Sequence, residues 1–114
     1  MKSKLGDKAR LQHIYDAIIE IENYVSGCNY KEFQSNSMMQ FATVKQLEII
    51  GEAANHFTEH FQRLYSEIQW QEIVGLRNLL IHEYFGIDTK IVWDILQIDI
   101  PKLKAQVEEI LKQI

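Results

Sequence analysis

WQEIVGLRNLLIHEYFG, residues 70–86, keeps a helical period throughout its length. Ile73, Leu76, Leu79 and Leu80 share one apolar arc, and the spacing predicts a helix starting near Trp70. Gly86 is its expected stop, because glycine takes the left-handed backbone that helix C-termini often need. The helix is apolar nearly all round, yet it carries Arg77, Asn78 and His82. With Arg77 as zero, Asn78 falls near about 100°, His82 near about 140° and Gly75 near about 160°. Val74 and Ile81 lie between Arg77 and Asn78, so the polar trio sits on a second, mixed face. Such a face suits packing by another protein surface. Gly75, beside His82, leaves room there for a ligand or a partner backbone.

Working outward, helical spacing recurs almost everywhere. Leu11, Ile14, Ile18, Ile21 and Val25 predict an amphipathic helix over 8–26, stopped by Ser26-Gly27. Met38, Phe41, Val44, Leu47, Ile50 and Ala54 predict a longer one over 36–57. Gly51 lies inside it, where glycine costs about 1 kcal/mol relative to alanine. Because Gly51 and Ala54 share a face, a close helix crossing is expected there. Residues 58–69 read as a loop with a short helical turn. Asp88 is the expected N-cap of a helix containing Ile91, Ile95 and Ile98. Pro101 marks a break or kink before a last segment with Leu103, Val107, Ile110 and Ile114. No strand-like alternation, repeat or low-complexity segment appears. The expected fold is one all-α domain over 1–114, an antiparallel bundle of four or five helices.

At 114 residues the chain is long enough for a core and short enough to gain from association. Cys28, its one cysteine, has no partner for an internal disulfide, which points to a reducing compartment. No apolar run reaches the roughly 18–20 residues that span a bilayer. The opening MKSKLGDKAR lacks the apolar region of a signal peptide, so a cytoplasmic location is expected. A net charge of −4 argues against a protein that coats nucleic acid through phosphate contacts. It does not exclude an enzyme acting on nucleic acid, which needs only local positive charge. Lys2, Lys4, Lys8 and Arg10 cluster near the start and read as a solvated, partly frayed terminus.

The trio suits cleavage of an RNA phosphodiester. Histidine titrates near neutrality and can take a proton from the 2′-hydroxyl or give one to the leaving oxygen. The arginine fork matches phosphate oxygens and stabilises charge growing in the transition state. Asn78 and His82 are spaced i, i+4, so the amide can orient the imidazole. The nucleophile belongs to the substrate, and no metal or cofactor is required. On one helix, however, Arg77 and His82 diverge by about 140°, and two copies facing across a two-fold axis would bring both pairs round one cleft. Taken as residues alone, the pair is a weak signal, because an Arg and a His five apart more often serve a capping or salt-bridging role.

RNLLIHEY, Arg77 to Tyr84, resembles the R-x-x-x-x-H-x-Y signature of HepT-type toxins, a branch of the HEPN superfamily of RNA-cleaving helical domains. YDAIIEIENYVSG, IIGEAA, the W-x-x-I-x-G-L-R-N run from Trp70 and IDTKIVW resemble the same family in the same order, so the likeness covers nearly the whole chain. It implies a HEPN-like homodimer and a metal-independent endoribonuclease. Arg77 and His82 would be catalytic, and Asn78 would support the site. It also implies a partner, a small nucleotidyltransferase antitoxin of the MntA type, which would silence the toxin by adenylylating Tyr84. An AMP group there would put phosphate and a bulky nucleotide into the cleft.

Other features have plainer readings. HFTEH, residues 56–60, fits the H-x-x-E-H pattern of some zinc peptidases, but no third ligand is placed near it. Trp70, Trp93, Met38 and Met39 read as packing residues. Glu48 and Glu52 read as a solvated face or as interface ion pairs, His13 as a surface residue and Cys28 as an inert thiol. The rival to a nuclease is a non-catalytic helical module that binds and stabilises a nucleotidyltransferase.

Overall fold

The structure, a computed structural model, describes residues 4–81 and 88–114, except for the side chains of residues 4–5 and 77–81. Four long helices form the bundle: α1 (Lys4–Val25), α3 (Ser37–Ala54), α5 (Trp70–Ile81) and α7 (Ile100–Gln113). Three short ones occupy the connections: α2 (Tyr30–Gln34), α4 (Glu59–Leu64) and α6 (Thr89–Asp94). Among the described residues there is no strand. The all-α bundle expected from periodicity is what forms. Helix α3 has its most extensive packing with α1 and α5, and α1 also packs on α7.

Helix α1 buries Leu11, Ile14, Ala17, Ile18 and Ile21 along one stripe. It stops where expected: Gly27 has φ +75°, and Cys28 N donates to Val25 O at 2.9 Å. It starts earlier than predicted, at Lys4 rather than near residue 8. The cause lies far away in sequence. Asp7 is buried and accepts from Thr58 N at 2.9 Å and Thr58 Oγ1 at 2.6 Å, which holds the first turn against the start of α4. Thr58 is itself the N-cap of α4, so one residue serves two helices. Lys2 lies outside the described residues, whereas Lys8 is exposed and Arg10 half-buried.

Helix α3 departs from its predicted face. Val44, Leu47, Ile50 and Ala54 are buried as expected, but Met38 is 78% exposed and Phe41 63%. With Leu47 as zero, Met38 lies at about 180° and Phe41 at about 120°, on the side away from the core. Gln40 and Thr43 are buried in their place. Gln40 Nε2 donates to Phe33 O at 2.8 Å and Gln34 O at 2.9 Å, so its amide is satisfied by the end of α2. Met39 does pack, half-buried against the core. Gly51 and Ala54 are both buried, as the expected close crossing requires.

A similar offset appears after α6. Asp88 caps it as predicted, accepting from Ile91 N at 3.2 Å. Of the three isoleucines named for this helix, only Ile95 is buried; Ile91 is 44% exposed and Ile98 67%, and Val92 and Leu96 face the core instead. The irregularity expected at Pro101 is a wide π-helical turn, Ile95–Asp99, running straight into α7. Pro101 has no N–H to give back into that turn, and the donor just before it, Ile100 N, reaches Ile95 O. Leu103, Val107 and Ile110 are buried as predicted, while Ile114 is exposed.

Polar contacts brace α1 to α7. Tyr15 Oη donates to Glu108 Oε2 at 3.1 Å, and Lys104 Nζ to Glu22 Oε1 at 3.0 Å. The Glu108 carboxylate pushes the Tyr15 phenol above its ordinary pKa, and Glu22 does the same for the Lys104 ammonium.

Asp7→Ala removes the acceptor for two donors at a buried point. The expected loss is about 2–3 kcal/mol, read as a lower urea midpoint with an unchanged slope.

Candidate active site

The motif helix is anchored at its start by aromatic packing. Phe57 lies 4.8 Å from Trp70 and 5.0 Å from Phe61, and Phe61 lies 4.7 Å from Tyr65, all between ring centroids. Trp70 Nε1 donates to Tyr65 O at 3.1 Å, which satisfies the indole as it enters the core. Both predictions for this end hold: α5 begins at Trp70, and the tryptophan is a packing residue. From there Ile73, Val74 and Leu76 lean on the core, half-buried. Val74 was expected on the mixed face beside Arg77; it also reaches the core, which widens the buried arc of α5. A Cβ added at Gly75 would meet nothing within 4 Å, consistent with the open surface expected beside the motif.

Arg77 and Asn78 lie on α5, with their backbone in the helix and their side chains outside the description. His82 and Tyr84 lie outside the described residues, as does the expected stop at Gly86. Beyond them the chain is held again. Tyr30 Oη and Thr89 Oγ1 share a hydrogen bond at 3.1 Å, and Lys90 Nζ sits 5.4 Å from the Tyr30 ring centre. Trp93 packs on Phe33 at 5.4 Å and on Tyr30 at 6.0 Å.

Those partners belong to α2, a helix for which periodicity offers no signal because it spans only five residues. A local signal exists all the same. Asn29 Oδ1 accepts from Glu32 N at 2.9 Å, and Asn29 N donates to Glu32 Oε1 at 3.0 Å. This is a capping box, and an N-x-x-E spacing announces it. Helix α2 thus braces the first residues after the motif, a supporting role that the sequence reading missed.

The H-x-x-E-H pair is divided. Helix α3 ends at Ala54 and α4 begins at Glu59, so His56 and His60 do not stand one turn apart on a single helix. His56 Nε2 meets Glu52 Oε1 at 2.8 Å and lines a groove of about 390 Å³ between α1 and α3, facing His13, which is exposed as expected. His60 lines a different cavity, with Asp7, Phe61 and Leu64. Among the described residues no three His, Cys, Asp or Glu side chains converge as metal ligands.

Comparison with known proteins adds the family. The model described as "Ribonuclease HepT-like" matches residues 14–110, a span that contains the whole 77–84 motif. The chain belongs to the HepT-like family. Relatives agree over nearly full length. The chain is 41% identical to "Putative RNase MJ1380" of Methanocaldococcus jannaschii over 106 residues, covering 93% of this chain and 97% of that one. It is 38% identical to "Probable ribonuclease HepT" of Thermococcus cleftensis over 109 residues, covering 96% and 99%. "Putative RNase TTE0752" of Caldanaerobacter subterraneus is 38% identical over 103 residues, covering 90% and 92%. No solved structure matches. The HepT-like resemblance read from the motifs therefore stands, and with it a family described as ribonucleases. Among the described residues, no helix is long and apolar enough to cross a membrane.

Asn29→Ala should lower stability by about 0.5–2 kcal/mol through the lost cap. Amide hydrogen exchange should speed up at residues 89–92, next to the motif, and stay unchanged in the core of α7.

Proposed function

We propose that this HepT-like chain is a metal-independent endoribonuclease toxin that works as a homodimer in the cytoplasm. The observation that carries this reading is the stretch RNLLIHEY, Arg77 to Tyr84, which starts on a helix anchored at Trp70 and lies inside a family match described as ribonuclease. Arg77 and His82 are the reacting pair. The His82 imidazole of one copy takes the proton of the 2′-hydroxyl, whose oxygen attacks the adjacent phosphorus. The bond to the 5′-oxygen breaks, and that oxygen receives a proton from the second imidazole. The products carry a 2′,3′-cyclic phosphate and a 5′-hydroxyl. Arg77 neutralises the extra charge on the phosphoryl oxygens at the transition state. Asn78, four residues before His82, orients the ring.

Two copies enter because an unbroken helical period would set Arg77 and His82 about 140° apart, so that one copy alone would not surround the scissile bond. The regulatory partner in this reading is an MntA-type nucleotidyltransferase that transfers AMP to the Tyr84 hydroxyl. Two residues from His82, the modified tyrosine fills the cleft with a phosphate and a nucleotide and shuts out RNA. The net charge of −4 is the observation that favours the rival, a non-catalytic module that stabilises a nucleotidyltransferase.

The test is incubation of the purified chain with RNA in EDTA. Cleavage should persist in the chelator, and His82→Ala or Arg77→Ala should lower the rate by about 100-fold or more. An intact protein that never cuts RNA but binds a nucleotidyltransferase tightly would support the rival. Tyr84→Phe should cleave RNA at close to the original rate and resist silencing by the nucleotidyltransferase with ATP. Equal silencing of that variant would remove Tyr84 from the mechanism.

A further inference from the structure

Helices α1 and α3 lie antiparallel. Asp7, near the start of α1, bonds Thr58 beyond the end of α3, and Tyr24, near the end of α1, accepts from Gln46 Nε2 at 3.2 Å in the middle of α3. The groove of about 390 Å³ between them sets small residues among cationic and imidazole groups. Gly6, Ala9 and Ala53 project at most a methyl group, which opens the space. Arg10, His13 and His56 line what remains, with Ile49 as its apolar wall. Gly6 to His13 and Ile49 to His56 each cover two helical turns, so the groove is about 10 Å long.

The groove's polar groups are unevenly satisfied. Glu52, its one carboxylate, meets His56 Nε2 at 2.8 Å. A carboxylate only accepts, so that nitrogen carries the proton and the contact holds the ring in place. Arg10 has no such match at Nη1, which is enclosed by protein and meets no hydrogen-bond partner among the described residues. A sheltered guanidinium nitrogen without an acceptor is the exception in folded proteins, and a ligand from outside supplies what is missing. The planar fork of arginine fits the oxygens of phosphate, and imidazole N–H groups donate to the same oxygens. A metal fits less well, because no three His, Cys, Asp or Glu side chains converge among the described residues. The volume lies within the range of small-molecule sites, so it exceeds what a bare anion fills and leaves room for a sugar or base against Ile49 and Ala53. One arginine along this length holds one phosphate and does not track a backbone.

We infer that the α1–α3 groove is a nucleotide-phosphate site, built without any residue of the 77–84 motif, in which Arg10, His13 and His56 hold one phosphate group and Ile49 with Ala53 receives the attached nucleoside. The phosphate belongs to a free nucleotide or to an RNA strand, two sources with the same chemistry. The inference does not rest on the nuclease reading.

The experiment is calorimetric titration of the full chain with AMP, with adenosine, and with a 2′-O-methyl RNA trinucleotide that lacks terminal phosphates and cannot be cut by 2′-hydroxyl attack. AMP should bind with a Kd of about 1 mM or tighter, and adenosine at least about 10-fold more weakly, because it lacks the group that Arg10 holds. Arg10→Gln should weaken AMP at least about 10-fold, and His13→Ala, a change at an exposed side chain, about 3-fold. A purely structural Arg10 predicts a lower melting temperature for Arg10→Gln; removal of an unmet donor predicts no loss. Histidine side-chain NMR of the wild type needs no variant: AMP should shift the signals of His13 and His56 and leave those of His60, which lines a different cavity. The same shifts with the trinucleotide assign the phosphate to a strand, and shifts with AMP alone assign it to a free nucleotide; either keeps the site. Adenosine binding as tightly as AMP overturns the inference, as does AMP binding that ignores both substitutions or leaves His13 and His56 unmoved. A chain that fills the groove with AMP and cuts no RNA keeps the site and removes the nuclease. A chain that cuts RNA in EDTA while neither AMP nor the trinucleotide moves His13 and His56 keeps the nuclease and removes the site.

Discussion

Trp70 sets the phase of the motif helix. Its ring is clamped among Phe57, Phe61 and the Tyr65 carbonyl, and a helix whose first residue cannot rotate has every later residue at a known angle. Rotating α5 by one residue would drive Arg77 about 100° round the axis, toward or away from the core. The aromatic clamp therefore does more than add burial to the bundle. It turns a sequence spacing into a direction in space, and the catalytic reading of Arg77 and Asn78 inherits that direction.

At the far side of the motif a second clamp operates with different chemistry. Asp88 caps α6, and Tyr30 and Phe33 from α2 hold Thr89 and Trp93. The segment carrying His82 and Tyr84 thus runs between two points attached to separate parts of the bundle. Rigid supports on both flanks are what precise placement of an imidazole requires, since small errors in attack geometry cost rate steeply. The short helices in the connections thus hold the two flanks of the motif, α4 and its neighbours on one side and α2 on the other.

Most of the fold was legible because the helical period is strong and its stop signals are local: Gly27, Asp88 and Trp70 all act where their neighbours in sequence predict. Errors arose where the deciding contact is remote. Hydropathy alone places Phe41 inside and Gln40 outside. The reverse holds because α2 supplies two carbonyls to the Gln40 amide, a fact invisible until α2 is folded back. The early start of α1 depends likewise on Thr58, and the exposure of Ile98 on the wide turn before Pro101. For the site, residue types and family were legible in one stretch of eight residues. The outward stripe of α3 was not, because it looks like an ordinary core stripe until one side of the helix is seen to be already occupied.

The braces between α1 and α7 have a consequence for how the protein is made. Tyr15 finds Glu108 and Glu22 finds Lys104, so an early helix waits for one that lies 82–93 residues further along. At about 5–20 residues per second, a ribosome exposes the N-terminal helix for several seconds before its final neighbour emerges. During that interval α3 and α5 can already dock, but one flank of α1 stays uncovered. Completion of the bundle, and of anything that depends on it, is therefore timed by the emergence of α7 and not by the appearance of the motif.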